Sequence, residues 1–134
     1  MKKVLTFGVY DMLHIGHILL FQRAKALGDH LIVAVQEGDY ILKYKPDTKM
    51  IYSTEERLYM VDSIKYVDEV VTYKDVDIDI QQIDFDIFAK GPDQQHEGFQ
   101  RAVRWCEQNG KEVVVLPRTE GISSTMLREY SGIK

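Results

Sequence analysis

The sequence predicts a single α/β domain of the Rossmann-like type, in which a parallel sheet is covered by helices on both faces. Short apolar runs rich in β-branched residues alternate with longer segments of helical period, which is the pattern of βαβ units. Most of these runs are too apolar for strands with one face in water. A chain of 134 residues has room for one hydrophobic core. We therefore expect one domain over residues 1–134.

Five apolar runs are predicted to form the strands of this sheet. They cover residues 4–8, 31–36, 69–72, 87–90 and 112–116. After the first strand, apolar residues recur at helical spacing from Ile15 onward, and Gly28 is the expected stop of that helix.

Further helices are predicted from their caps and stops. Ser53 and Glu56 match a capping box, so a second helix is expected to begin there. A short helix is predicted over residues 79–83. A longer one is predicted over residues 99–108, and Gly110 follows it as a stop.

Two segments need a separate interpretation. Residues 39–52 contain Lys43 and Lys45 and show no sustained period, so they are predicted to be a loop of the kind that often serves as a lid. The last helix is expected to begin at Ser123 or Ser124.

Composition argues against several classes of protein. The formal net charge of −4 argues against binding to nucleic acid through a basic surface. Cys106 is the only cysteine, so no intramolecular disulfide is predicted. No apolar run approaches the roughly 20 residues of a membrane-spanning helix, so no membrane insertion is expected. The amino terminus lacks a long signal-peptide core, and the cytoplasm is the expected location.

Two histidines follow the first strand at the predicted start of a helix. Gly8-Val9-Tyr10-Asp11 ends the strand, and His14-Ile15-Gly16-His17 opens the helix. Unpaired N–H groups and the positive end of the helix dipole favour an anion there. The two imidazoles share one face, and the glycine lets a phosphate approach the backbone. One histidine alone would indicate an ordinary structural residue. The pair with glycine favours a phosphate site over a zinc site, which needs further ligands.

A second strand-to-helix turn carries an arginine and three hydroxyl side chains. It reads Pro117-Arg118-Thr119-Glu120-Gly121-Ile122-Ser123-Ser124-Thr125. The planar guanidinium suits phosphate, and hydroxyls with nearby N–H groups can hold terminal phosphates. A helix cap is the alternative for Ser123, but it explains neither Arg118 nor Gly121. Both turns follow parallel strands at their carboxyl ends, so we expect them to face one cleft.

These two motifs resemble those of the cytidylyltransferase family. The resemblance covers nearly the whole chain and includes Tyr66-Val67-Asp68-Glu69-Val70 before the third strand. It implies attack by a substrate phosphate on the α-phosphate of CTP, with Mg²⁺ bound through the CTP phosphates and no covalent intermediate. It also implies a homodimer. The histidine motif alone also occurs in adenylyltransferases, whereas the second motif indicates CTP.

The resemblance implies roles for individual residues. The catalytic set would be His14, His17, Lys45 and Arg118. The residues expected to contact the nucleotide are Val9, Tyr10, Asp11, His14, Gly16, His17, Lys45, Gly91, Asp93, Arg118, Thr119, Gly121, Ile122, Ser123 and Ser124. The residues expected at the acceptor are Lys43, Arg57 and Lys65. No side chain is assigned to a metal ion, and solvated surface charge is the alternative for the loop lysines.

Two departures from the family pattern concern single positions. The chain reads Gly91-Pro92-Asp93-Gln94 where the family often reads Gly-Asp-Asp-Trp, so one aspartate and the tryptophan are replaced. Lys65 stands where glycerol-phosphate enzymes carry an arginine, and a lysine lacks the planar fork.

A third departure bears on the acceptor. Asp75, Asp77 and Asp79 occupy a stretch where glycerol-phosphate enzymes are basic. The resemblance implies glycerol 3-phosphate first, and an acidic pocket would instead favour phosphoethanolamine or phosphocholine. Surface solvation is the other explanation for these aspartates. An adenylyltransferase and a non-catalytic nucleotide-binding module are the remaining alternatives. The histidines together with Arg118 weigh against the module.

Overall fold

The computed structural model describes residues 1–117. Its strands are β1 (Lys3–Gly8), β2 (His30–Gln36), β3 (Glu69–Tyr73), β4 (Ile87–Lys90) and β5 (Glu112–Val115). They form one parallel sheet in the order β3-β2-β1-β4-β5. All five predicted strands are present, and their ends lie within one residue of the predicted ends.

Helices cover both faces of the sheet. They are α1 (Ile15–Lys25), α2 (Gly38–Tyr44), α3 (Thr54–Asp62), α4 (Val76–Asp79) and α5 (Glu97–Gln108), and a 3₁₀ turn, Ile80–Gln82, continues α4. Successive strand residues point to opposite faces, so Val4 packs in the cluster of α1 and α3 whereas Leu5 packs in the cluster of α5. The predicted Rossmann-like α/β class is confirmed.

Strand order places a crevice at the centre of the sheet. The chain adds β2 and β3 on one side of β1, and then β4 and β5 on the other. The direction of winding therefore changes between β1 and β4. Open parallel sheets bind ligands at the carboxyl ends of the strands beside such a change. The turn after β1 lies at this edge.

Two predicted helices differ from the structure at their amino ends. The short helix begins at Val76 and not at residue 79, so only Asp79 and the 3₁₀ turn that follows fall in the predicted range. The helix predicted over residues 99–108 begins at Glu97, because His96 caps it by accepting a hydrogen bond from Gly98 N. The capping box of α3 is as predicted, since Ser53 and Glu56 exchange both hydrogen bonds.

The prediction of a loop over residues 39–52 is wrong for its first part, where α2 lies. This helix has seven residues, one of them buried (Ile41), and its cap makes no side-chain hydrogen bond. A helix this short shows neither a repeated apolar face nor a start signal in the sequence.

The two glycines predicted as helix stops play different roles. Gly110 has φ of 69° after α5, the left-handed geometry of a C-terminal stop. Gly28 does not stop α1, which ends at Lys25. A Cβ on Gly28 would lie 2.6 Å from the carbonyl oxygen of Lys2, so glycine is required there for close packing.

Candidate active site

The turn after β1 brings the histidine motif to the carboxyl edge of the sheet. Tyr10 is buried and has φ of 56°, the left-handed region that is costly for a residue with a side chain. Its ring packs against Gly8, where an added Cβ would lie 2.4 Å from Tyr10 Cζ. The same ring meets His17 and Phe21 edge to face, with centroids 5.4 and 5.2 Å apart. The tyrosine therefore fixes the path of the turn and one histidine ring.

The two histidines cap α1 reciprocally. His14 Nδ1 accepts from Gly16 N at 3.0 Å, and His17 Nδ1 accepts from His14 N at 3.1 Å. The ring centroids are 4.0 Å apart. A nitrogen that accepts a hydrogen bond carries no proton, so in each neutral imidazole the proton lies on Nε2. The pair is thus oriented as two Nε2–H donors at a helix N-terminus.

Burial keeps His17 in its neutral form at physiological pH. Burial, followed by repulsion from His14, lowers the pKa of His17 to about 4. The reciprocal cap also uses the main-chain N–H groups of His14 and Gly16, at the helix start where the sequence predicts unpaired N–H groups that bind an anion. An anion at α1 would therefore meet the Nε2–H groups and the helix dipole.

Asp11 ties the following segment to this turn. Its carboxylate accepts hydrogen bonds from Ile51 N and Tyr52 N, both at 2.9 Å. These residues lie just before α3. Asp11, predicted to contact the nucleotide, thus holds the lysine-bearing segment against the histidine turn.

Arg57 is completely buried and holds main-chain atoms at the same edge. Its Nη1 donates to the carbonyl oxygens of Val9 at 2.9 Å and Gln36 at 2.8 Å. Its Nη2 donates to Thr54 Oγ1 at 3.2 Å. Burial lowers the pKa of this guanidinium. The sequence placed Arg57 at the acceptor, but the structure has it bridging the ends of β1 and β2.

Lys43 and Lys65 each lie beside tyrosine rings. Lys43 Nζ lies 5.1 and 5.5 Å from the ring centroids of Tyr40 and Tyr44. Lys65 Nζ lies 5.1 Å from the ring of Tyr66. Lys65 precedes β3 and so stands at the amino edge of the sheet, opposite the histidine turn. A substrate-binding role for either lysine stays a prediction.

A cavity of about 810 Å³ opens at the carboxyl edge. The turn after β1 lines one end, the segment between α2 and α3 another, and the first turn of α5 the far side. Lys45 and Asp93, both predicted to contact the nucleotide, line it together with Gly8, Val9 and Asp11. Lys74 and Arg101 also line it. The sequence assigns Lys74 to no site, and it leaves Arg101 either as a replacement for the missing phosphate contacts or as a residue of an exposed helix face.

Gln94 joins the carboxyl ends of β1 and β4. Its side-chain amide donates to the carbonyl oxygen of Phe7 at 2.6 Å and accepts from Gly91 N at 3.1 Å. Its own carbonyl accepts from Lys90 Nζ at 2.9 Å. At the position of the family tryptophan, this chain therefore has an amide that bridges the two strands where they diverge.

The aspartates after β3 are engaged by neighbouring groups. Asp75 accepts from Tyr44 OH at 2.5 Å, and Asp77 accepts from Arg101 Nε at 2.8 Å. Asp79 accepts from Lys74 N at 2.6 Å. Two of the three line the cavity, but each carboxylate has a partner within the protein.

The second motif begins where the described chain ends. Arg118, Thr119, Gly121, Ile122, Ser123 and Ser124, with the helix predicted at Ser123 or Ser124, lie outside the described residues. Pro117 accepts a hydrogen bond from Arg23 Nη1 at 3.2 Å, so the chain enters the motif beside α1.

Comparison with known proteins identifies the family. A family model described as cytidylyltransferase-like matches residues 5–130. The chain belongs to the cytidylyltransferase-like family. The glycerol-3-phosphate cytidylyltransferase of Bacillus subtilis is 42% identical over 132 residues, covering 96% of each chain. That of Staphylococcus aureus is 41% identical over 133 residues, covering 96% of this chain and 94% of the relative.

Solved structures agree with this assignment of the fold. The lipopolysaccharide core biosynthesis protein of Thermoplasma volcanium aligns with a TM-score of 0.71 and 26% identity. The alignment covers 89% of this chain and 97% of that one. The resemblance to the cytidylyltransferase family is confirmed by the family model, which matches residues 5–130. Across residues 1–117, every helix lacks the length or the apolarity needed to cross a bilayer.

Proposed function

We propose that this protein transfers the cytidylyl group of CTP to the phosphate of glycerol 3-phosphate, releasing pyrophosphate. The observation that carries the proposal is the reciprocally capped pair His14 and His17, with two Nε2–H groups at the N-terminus of α1. The relatives of that name, at 42% and 41% identity over nearly full length, support both the nucleotide and the acceptor.

The reaction is a direct in-line displacement. A phosphate oxygen of glycerol 3-phosphate attacks the α-phosphorus of CTP, and the bond from that phosphorus to the α,β-bridging oxygen breaks. The products are CDP-glycerol and pyrophosphate. Negative charge develops on the transferring group and on the departing pyrophosphate, so fixed hydrogen-bond donors accelerate the step.

The histidines act as such donors. Their Nδ1 atoms are held by main-chain N–H groups, so the rings need little reorganisation when charge develops. The low pKa of His17 keeps its imidazole neutral, which makes it a hydrogen-bond donor and not a proton source. Lys45, which lines the cavity, supplies positive charge.

The nucleotide is proposed to lie against α1 and the second motif. Val9, Tyr10, Asp11 and Gly16 shape the turn, and Gly91 and Asp93 flank the end of β4. The second-motif residues proposed to hold the base and phosphates are Arg118, Thr119, Gly121, Ile122, Ser123 and Ser124. The planar fork of Arg118 suits bidentate contact with phosphate oxygens.

We propose that Mg²⁺ accompanies CTP. Within residues 1–117, no group of three histidine, cysteine or carboxylate side chains is arranged to hold a metal ion. Asp11 and Asp93 line the cavity, and Mg²⁺ commonly binds through substrate phosphates with one or two carboxylates and water. The side chains present fit a metal that arrives with the nucleotide, where it would neutralise phosphate charge.

The assay is pyrophosphate release with a panel of substrates. CTP and ATP are each combined with glycerol 3-phosphate, phosphoethanolamine and phosphocholine in the presence of Mg²⁺. We expect the highest kcat/KM with CTP and glycerol 3-phosphate. A preference for ATP would overturn the nucleotide assignment, and a preference for a cationic acceptor would overturn the acceptor. A protein that binds CTP but releases no pyrophosphate with any acceptor would be a binding module.

We further propose that the protein is a cytoplasmic homodimer, as the family resemblance implies. Its proposed substrates are the soluble metabolites CTP and glycerol 3-phosphate. Light scattering coupled to size-exclusion chromatography tests the dimer. A mass near twice 15.6 kDa is expected, and a mass of one chain at assay concentration would contradict it.

A further inference from the structure

Three positively charged side chains line the cavity, and each comes from a different segment. Lys45 follows α2, Lys74 follows β3, and Arg101 lies on α5. Among residues 1–117, neither Lys45 nor Lys74 forms an ion pair. Lys74 Nζ also lies 5.6 Å from the ring centroid of Tyr40, a contact that leaves its charge in place. Both lysines can therefore offer positive charge to a ligand.

Two of the carboxylates beside these cations already have partners within the protein. Asp75 accepts the Tyr44 hydroxyl, and Asp77 accepts Arg101 Nε. The second contact holds the guanidinium by one edge, and its next carboxylate, Glu97, lies 3.7 Å from Nη1. The two terminal nitrogens of a guanidinium held in this way can form a fork for a phosphate.

His96 lines the same cavity as Lys45 and Arg101. Burial lowers the pKa of His96, and Lys45 and Arg101 lower it further, while Asp77 opposes them. Its Nδ1 accepts from Gly98 N at 3.1 Å, so its proton lies on Nε2. A neutral imidazole with a donor nitrogen therefore stands beside the two cations.

The cavity lies on the other side of β1 from the histidine pair. Helix α1 packs with the residues of one face of the sheet, whereas α4 and α5 pack with those of the opposite face. The cavity still reaches Gly8, Val9 and Asp11, the turn that leads into α1. In an in-line displacement the attacking and leaving oxygens lie on opposite sides of the phosphorus. If pyrophosphate leaves on the side of α1, the acceptor phosphate attacks from the opposite side, where α4 and α5 lie.

We propose that Arg101, together with Lys45 and Lys74, binds the phosphate of the acceptor substrate in this cavity. The inference rests on the proposed function, because it assigns one of the two substrates of that reaction to a place. The ligand class is a phosphate monoester dianion. Arg101 takes the role for which the family resemblance had put forward Lys43, Arg57 and Lys65.

Steady-state kinetics of Arg101→Ala tests the proposal. Loss of a charged hydrogen-bond donor is expected to raise the KM for glycerol 3-phosphate by about tenfold or more. The KM for CTP should change by less than about twofold, because the proposed site of Arg101 does not contact CTP. Arg101→Lys keeps the charge and should recover part of the loss.

Arg104→Ala is the matched control. Arg104 is on the same helix and is also exposed, but it faces a separate groove with Lys90, Gln95, Gln100 and Val103. Its KM for glycerol 3-phosphate should stay near that of the wild type. Equal changes in the two variants would mean a general effect of charge and would overturn the proposal.

A purely structural role for Arg101 is separated by direct binding and by unfolding. Isothermal titration with glycerol 3-phosphate alone should show binding to the wild type and a large loss in Arg101→Ala, while thermal unfolding confirms that the variant is folded. A folded variant that binds as the wild type does, or that loses CTP affinity to the same extent, overturns the proposal.

The same titration separates the inference from the proposed function. A wild type that binds glycerol 3-phosphate through Arg101 but releases no pyrophosphate from CTP supports the site and refutes the reaction. If the wild type and Arg101→Ala turn over CTP and glycerol 3-phosphate with the same KM and kcat, the reaction is supported and the site is refuted. A wild type that neither binds nor uses glycerol 3-phosphate refutes both.

Discussion

Replacing His14 with asparagine separates its two roles. The imidazole caps α1 through Nδ1, which accepts from Gly16 N at 3.0 Å, and it presents Nε2–H to a ligand. An asparagine side-chain oxygen can reach the same main-chain N–H, and asparagine is among the preferred N-cap residues. It has no group in the place of Nε2–H. The substitution therefore removes the donor and keeps the cap.

The expected effects follow from these two contacts. His14→Ala loses the cap, which costs about 1 kcal/mol of unfolding free energy, whereas His14→Asn should stay close to the wild type. Both should lower kcat on the order of 10²-fold, because each loses a donor to charge that develops in the transition state. Urea unfolding measures the first effect, and pyrophosphate release at saturating CTP measures the second.

The contrast between the two variants is the test. A folded His14→Asn protein with kcat within about threefold of the wild type would show that Nε2–H does not act in the reaction. If kcat falls in His14→Ala, which loses the cap, but not in His14→Asn, which keeps it, then His14 acts only as a helix cap.

Three further perturbations test the surroundings of the pair. The pKa of His17 is lowered to about 4 in the folded protein, so as the pH falls this histidine takes up a proton in the unfolded chain before it does so in the folded one. The free energy of unfolding in urea should therefore fall as the pH drops from about 6.5 towards 4. A flat profile would contradict a buried neutral imidazole. Gly8→Ala places a Cβ 2.4 Å from Tyr10 Cζ and should cost about 1–3 kcal/mol with a lower Tm, whereas an unchanged Tm would mean that the ring can move freely. Arg57→Lys leaves at least one of two carbonyl oxygens without its donor and should cost about 2–3 kcal/mol in urea unfolding, while a substrate-binding role would change KM for glycerol 3-phosphate with little loss of stability.

Most of the fold could be predicted because it rests on local pattern. The strands are short apolar runs buried on both faces, and the capping box of Ser53 and Glu56 marks α3 unambiguously. Helix α2 was missed because seven residues with one buried side chain carry no helical period. Gly28 was misread because its requirement is set by Lys2, which is distant in sequence.

The candidate site was predictable only where its residues are consecutive. The histidine motif lies within four positions, so its place at a helix start followed from the order of elements. That both rings accept hydrogen bonds from main-chain N–H groups of the helix start is a matter of side-chain rotamer, which spacing does not specify. Arg57 and Lys65 were assigned by resemblance, and the sequence does not tell a buried arginine from an exposed one. Arg101 reaches the cavity through the packing of α5 on the sheet, which no local pattern encodes.

The central claim is that a phosphate oxygen of the acceptor attacks the α-phosphorus of CTP. Glycerol 3-phosphate labelled with ¹⁸O in its phosphate, turned over with unlabelled CTP and Mg²⁺, tests it by ³¹P NMR of the products. Direct attack keeps all the label in CDP-glycerol, with one labelled oxygen in the new phosphorus–oxygen–phosphorus bridge, and leaves pyrophosphate unlabelled. Label in pyrophosphate, or CTP cleavage without CDP-glycerol, would contradict it.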